Sequence, residues 1–95
     1  MLCYGYVRSN CSLRLKYQEW KIKEFATSKG YEIENIFQDF HTFINSSSFN
    51  SVLIVSDLTR LGRGELLKYH LKVLEDRGIT LYTPELEDEY TSPFN

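Results

Sequence analysis

Residues 51–64, SVLIVSDLTRLGRG, restrict what this chain can become more than any other stretch. A short, uninterrupted apolar run bounded by turn formers reads as a strand covered on both faces, which places it inside a parallel sheet. Asp57 closes the run, and Arg60 and Arg63 follow on a bend set off by Gly62 and Gly64. In open α/β sheets the crevice beyond the strand carboxyl ends is where ligands bind, because exposed loops there stand on rigid strands. A second stretch, CYGYVRSN at residues 3–10, repeats the plan: an apolar strand leading to Arg8 and small polar residues. Side by side, two such tips would gather three guanidinium groups, a donor array suited to planar oxyanions such as phosphate.

The remaining pattern alternates strand and helix. Residues 2–8 read as the first strand, with Gly5 marking a close approach to the backbone. Residues 9–12 turn the chain, Ser12 is the expected N-cap, and helical spacing then runs to Lys29 with Gly30 as its stop. That helix is apolar on two sides. Leu15, Ile22, Phe25 and Ala26 form a stripe for the sheet, while Leu13, Tyr17 and Trp20 form another on roughly the opposite face, either covered by a loop or open to a partner. Tyr31 to Phe37 alternate as an edge strand. In residues 38–50 Phe40, Phe43, Ile44 and Phe49 need burial, but the Ser46 to Ser48 run limits the helix predicted there to a single turn. The third strand follows, then a helix from Gly64 to Arg77 with Leu66, Leu67, Leu71 and Leu74 on its inner stripe and Gly78 as its stop. Residues 79–85 read as the fourth strand and the acidic tail as irregular.

The expected fold class is therefore α/β: one domain over residues 1–95, three layers, a mainly parallel four-stranded sheet ordered 2-1-3-4, and helices on both faces. With 42% apolar and 15% aromatic residues the chain can build a core, so disorder is excluded. No apolar run approaches the roughly 20 residues of a membrane span and no leader pattern opens the chain, which predicts a cytoplasmic protein without a membrane partner. The net charge of −2 divides unevenly: residues 84–95 carry four acids, while residues 1–83 hold eleven bases against nine acids. Neither part has the overall basic excess of a protein that grips DNA by phosphate neutralisation.

Cys3 and Cys11 are too awkwardly placed around one strand end to bridge, so free thiols are expected. His70 falls on the apolar stripe of its helix and reads as a core residue. His41 has no metal-ligand partner at useful spacing, and no metal or cofactor is implied. A cysteine phosphatase loop fails because Cys3 begins its strand and lies one residue too near Arg8. The glycine bend at 62–64 lacks the Lys-Ser/Thr of a nucleotide loop. Asp57 is first a turn former, and Arg8, Arg60 and Arg63 read equally as an anion site or as an ion-pair network with Asp39 and Asp57.

At these residues the sequence resembles the catalytic domain of serine site-specific recombinases, the resolvase and invertase family. YGYVRSN is similar to the family's Gly-Tyr-x-Arg-x-Ser opening through Gly5, Tyr6 and Arg8. Gln18 corresponds to a glutamine in the helix that follows, and Asp39 to the acidic residue after the second strand. SDLTRLGRG resembles Leu-Asp-Arg-Leu-x-Arg through Leu58, Arg60, Leu61 and Arg63. The resemblance implies a resolvase-like fold, DNA as partner, a homodimer or a recombinase partner, and phosphate held by Tyr6, Arg8, Asn10, Gln18, Arg60 and Arg63. It also implies a serine that joins covalently to a DNA phosphate, with Arg8, Arg60 and Arg63 stabilising the charge of transfer.

The departures bear on activity. The nucleophile's position is Asn10, whose amide has no deprotonatable oxygen. Ser9 stands one residue early, where an extended strand turns it away from Arg8, and Ser12 is the expected cap. Thr59 replaces the aspartate before the second arginine, the 40–50 segment supplies no further arginine, and the family's long dimerising helix and helix-turn-helix domain have no counterpart in the 95 residues. The resemblance thus implies an impaired recombinase domain with weak hold on DNA. The competing expectation is a non-catalytic interaction module, or a regulator that joins a full-length recombinase.

Overall fold

The computed structural model describes residues 2–84. The acidic tail, and Glu85 at the expected end of the last strand, lie outside them. Four strands, β1 (Cys3–Tyr6), β2 (Ile33–Phe37), β3 (Val52–Val55) and β4 (Thr80–Tyr82), form one sheet in the order β2-β1-β3-β4. Every pairing is parallel, with Tyr6 opposite Val55 and also opposite Phe37. The two central strands are buried at every position, as the apolar runs require.

Three α-helices cover the sheet: α1 (Ser12–Lys29), α2 (Phe40–Ser46) and α3 (Gly64–Asp76). Because side chains alternate across a strand, β1 and β3 feed two separate cores. Cys3, Val7, Val52 and Ile54 meet Ile22, Phe25 and Ala26 of α1 on one face. Tyr4, Tyr6, Leu53 and Val55 meet Phe40 and Phe43 of α2 and Leu71 and Leu74 of α3 on the other. Gly5 sits where α1 comes closest: a Cβ there would lie 3.0 Å from Ile22 Cγ2 and 3.1 Å from Ile36 Cγ1.

Three expectations need correction. The segment after β2 forms a seven-residue helix and not a single turn. Asp39 caps it by accepting from Thr42 N–H at 2.9 Å, and Phe40 and Phe43 pack against one another and against Tyr6, Tyr4 and Phe37, so core burial overrides the weak propensity of the serines. The N-cap of α1 is Cys11, with Ser12 the first helical residue. Ser9 Oγ accepts from Cys11 N–H at 3.1 Å within the expected turn at 9–12, and the Cys11 carbonyl takes the first helical bond from Leu15. On α3, Leu66 is 47% exposed, and His70 takes the inward place beside Leu71 and Leu74.

Candidate functional site

The carboxyl end of the sheet is built by two short loops. After β1 the ladder continues one residue, with Val7 N–H donating to Phe37 C=O at 2.9 Å, and delivers Arg8 to the rim. After β3, Asp57 opens a 3-10 turn over Leu58–Leu61. Its carboxylate accepts from Thr59 N–H at 3.0 Å, from the Thr59 hydroxyl, and from Arg60 Nε at 3.4 Å. The turn is fastened to the core from below: His70 Nδ1 lies 2.6 Å from the Leu61 carbonyl and the imidazole stacks on Phe40 at 3.9 Å between ring centres. An imidazole facing a carbonyl at that distance donates to it, so Nδ1 carries the proton.

The two loops meet. Arg60 Nη1 donates to the Arg8 carbonyl at 2.8 Å, across 52 residues of sequence. From the opposite side Gln18 grips the same residue twice: its Oε1 accepts from Arg8 N–H at 2.9 Å and its Nε2 donates to the Arg8 carbonyl at 3.1 Å. Gln18 is 4% exposed, a polar residue set into the apolar stripe of α1 because its amide replaces the ladder partners that Arg8 has left behind. The backbone at Arg8 is therefore fixed from both helix and turn, while its side chain stays exposed.

Charge at the rim is unevenly balanced. Arg60 Nε also lies 3.3 Å from Asp57 Oδ2, so this arginine has an ion-pair partner three residues before it, where Thr59 replaces the carboxylate that the resemblance places beside it. Burial pushes the Asp57 carboxyl up, but hydrogen bonds from Thr59 and the Arg60 charge outweigh it and leave the group below its ordinary range. Asp39 is also held low, first by the Thr42 backbone N–H and hydroxyl and only weakly by His41 and Arg8. Burial raises the phenol of Tyr6, with the Arg8 guanidinium beside it pulling the other way. Arg8 thus leans on the Tyr6 hydroxyl and makes no ion pair with Asp39 within 4 Å. The ion-pair network foreseen from sequence reduces to Arg60 and Asp57.

The other site residues take distinct places. Arg63 is exposed, occupies the N-cap of α3 without a side-chain capping bond, and makes no contact with Arg8 or Arg60 of the kind that joins those two. Asn10 is exposed at the tip of the β1–α1 loop, whereas the half-buried Ser9 spends its oxygen on Cys11 N–H. Leu13, Tyr17 and Trp20 are 75%, 57% and 54% exposed, so no loop among the described residues covers them. Both cysteines are free. Burial raises the Cys3 thiol to about 11, and the exposed Cys11 thiol is lowered by the N–H groups of Arg14 and Leu13. No cluster of metal-ligating side chains exists among the described residues, and none of their helices is long and apolar enough to cross a membrane. Thr59 and His70, which steady the arginine turn, are site residues beyond those the sequence motifs single out. A histidine seven residues after the Arg63 of Arg-Leu-Gly-Arg, on the inward stripe, is the sequence signal for the second.

No protein-family profile matches the chain, and no curated protein matches it in sequence. Solved structures do. A resolvase family site-specific recombinase from Streptococcus pneumoniae superposes with a TM-score of 0.76 at 20% identity, covering 99% of this chain and 79% of that one. The N-terminal catalytic domain of TP901-1 integrase gives 0.74 at 15% identity, covering 99% and 85%. The C-terminal catalytic domain of ISC1926 TnpA, an IS607-like serine recombinase, gives 0.72 at 18% identity, covering 87% and 69%. The chain has the resolvase-like α/β fold of these catalytic domains.

Proposed function

We propose that this chain is a serine-recombinase-type domain that serves DNA strand exchange by holding a phosphodiester at the joined tips of β1 and β3, with phosphoryl transfer impaired by Asn10. The observation that carries the reading is the Arg60 to Arg8 hydrogen bond, which fixes the arginine turn against the β1 rim. Arg60, held by the Arg8 carbonyl, Asp57 and the Thr59 hydroxyl, offers its remaining N–H groups to the non-bridging oxygens, and the exposed guanidinium groups of Arg8 and of Arg63, at the start of α3, approach the same anion from solvent. Gln18 is a positioning residue that sets Arg8 through its backbone and does not itself reach the phosphate. Chemistry would require an oxygen nucleophile aimed at phosphorus. The Asn10 amide cannot form a phosphoester, and Ser9 is committed to the turn.

The test is a supercoiled plasmid incubated with the protein, quenched with detergent and resolved before and after protease. The native chain is expected to leave the plasmid unbroken, and Asn10→Ser to yield nicked circles that carry protein and that disappear in Asn10→Ser/Arg60→Ala. Protein-linked nicks made by the native chain would overturn the assignment of impairment. Nicks by Asn10→Ser that persist without Arg60 would overturn the phosphate site.

A further inference from the structure

The cleft between α2 and α3 has no part in that reading, yet it opens beside the rim. It lies on the face of the sheet away from α1, has a volume of about 270 Å³, and counts Arg8 and Asp39 among its walls. The inner part is apolar and aromatic: Phe40 and His70, both buried, stack at 3.9 Å between ring centres, and Val73 adds to the lining. Tyr69 stands at the mouth, 63% exposed, its ring centre 5.7 Å from that of His70. Asp39 spends Oδ2 on the N–H and hydroxyl of Thr42, both at 2.9 Å, while its Oδ1 has no bond among the described residues. Those two bonds hold the carboxyl below its ordinary range, so Oδ1 is the oxygen of an ionised group with acceptor capacity to spare.

Aromatic walls, an exposed ring at the mouth, and a carboxylate and an arginine at one end match a flat heterocycle with an amino edge and a phosphate attached, which is the make-up of a nucleotide unit. The volume falls below the roughly 300–1,000 Å³ of sites for drug-sized ligands, which suits a single base. An aliphatic side chain from a partner protein would fill the apolar part but leave the Asp39 carboxylate and the Arg8 guanidinium unmatched. A base still stacked in a duplex cannot enter, so the occupant is one swung out of its stack or taken from a single strand.

We propose that the cleft between α2 and α3 receives one unstacked nucleobase of the strand whose phosphate lies at the rim, with Tyr69 against its face and its exocyclic amino group donating to Asp39. This rests on the phosphate site described above and adds to it a reading of base identity. Cytosine is favoured over uracil, because the carbonyl that uracil carries in place of the amino group would set two acceptors against each other.

Deoxycytidylyl-deoxycytidine and deoxyuridylyl-deoxyuridine, which differ only along that edge, are titrated by nuclear magnetic resonance alongside dimethyl phosphate, a phosphodiester without bases. The cytosine dinucleotide is expected to bind about tenfold more tightly than the uracil one and about a hundredfold more tightly than dimethyl phosphate, with Overhauser contacts from its ring protons to Tyr69. Tyr69→Ala, at an exposed position, is expected to cut the advantage over dimethyl phosphate about tenfold. Asp39→Asn can still cap α2 through its oxygen but sets an amide donor where the second carboxylate oxygen was, and is expected to invert the preference in favour of uracil. If dimethyl phosphate moves the Arg60 signal and the cytosine dinucleotide binds no more tightly than it, the cleft is refuted and the rim stands. If cytidine contacts Tyr69 while dimethyl phosphate leaves Arg60 unmoved, the rim falls and the base site stands. A native chain that binds the two dinucleotides alike, or an Asp39→Asn chain that keeps the cytosine preference, overturns the assignment to Asp39.

Discussion

Gln18→Leu isolates the device that fixes the arginine rim. Leucine keeps most of the side-chain volume in a place that is 4% exposed, but it removes the acceptor for Arg8 N–H and one of the two donors to the Arg8 carbonyl. The carbonyl keeps Arg60 Nη1 at 2.8 Å, so its loss is small. The N–H is left without a partner in a partly buried place, at a cost of about 1–3 kcal/mol. Extra apolar burial of the leucine returns a fraction of this, leaving a net destabilisation of about 1–2 kcal/mol. For a domain of this size that lowers the melting temperature by roughly 5–15 °C. Urea and thermal unfolding followed by Trp20 fluorescence and far-ultraviolet circular dichroism measure it. Gln18→Glu, which keeps the acceptor but sets a buried carboxylate against the Arg8 carbonyl, is expected to destabilise at least as much as Gln18→Leu. Refutation would be a Gln18→Leu protein within about 0.5 kcal/mol of the native one, the range of an ordinary surface change. The amide would then contribute nothing to the rim, and the positioning role would go with it.

Gly62 has φ +104°, and a Cβ there would lie 2.8 Å from Leu66 Cδ2, so Gly62→Ala is expected to destabilise by about 1–3 kcal/mol, measured by urea unfolding. With its lowered thiol exposed at the N-terminus of α1, Cys11 is expected to react with iodoacetamide in the native state, while Cys3, buried and raised to about 11, reacts only on unfolding; mass spectrometry after labelling reads one adduct against two. Asp57 has a folded value below its unfolded one, so its contribution to stability is present above about pH 4 and is lost as pH falls through the lowered folded value. Stability measured between pH 6 and pH 2 is expected to fall less steeply on the acid side in Asp57→Asn, which keeps a capping oxygen but cannot titrate.

Strand order was legible because β-α-β units in a parallel sheet leave few right-handed arrangements, and the apolar runs of residues 3–7 and 51–55 could only be central. That the tips carrying Arg8 and Arg60 meet follows from the same topology. What escaped was decided by contacts distant in sequence. The helix at 40–46 owes its existence to Phe40 and Phe43 seated on Tyr4, Tyr6 and Phe37, which no local propensity reports. Position 18 falls on the same helical stripe as Leu15, Ile22 and Phe25, and a polar residue there signals a buried hydrogen bond, although its partner, the Arg8 backbone, becomes evident only in three dimensions. Arg63 belongs to the arginine motif by spacing, yet the turn at Gly62 sends it to the head of α3 and away from the contact that Arg8 and Arg60 share.

The central claim is that Arg8 and Arg60 act on one phosphate. Proton–nitrogen correlation spectra of the arginine Nε–H groups, recorded while thymidylyl-thymidine is added as a minimal phosphodiester, test it most directly. The account predicts that the Arg8 and Arg60 signals move together with a single Kd, that Arg63 follows, and that Arg60→Ala abolishes the response at Arg8. Arginine signals that stay still, or that shift with unrelated affinities, would contradict it.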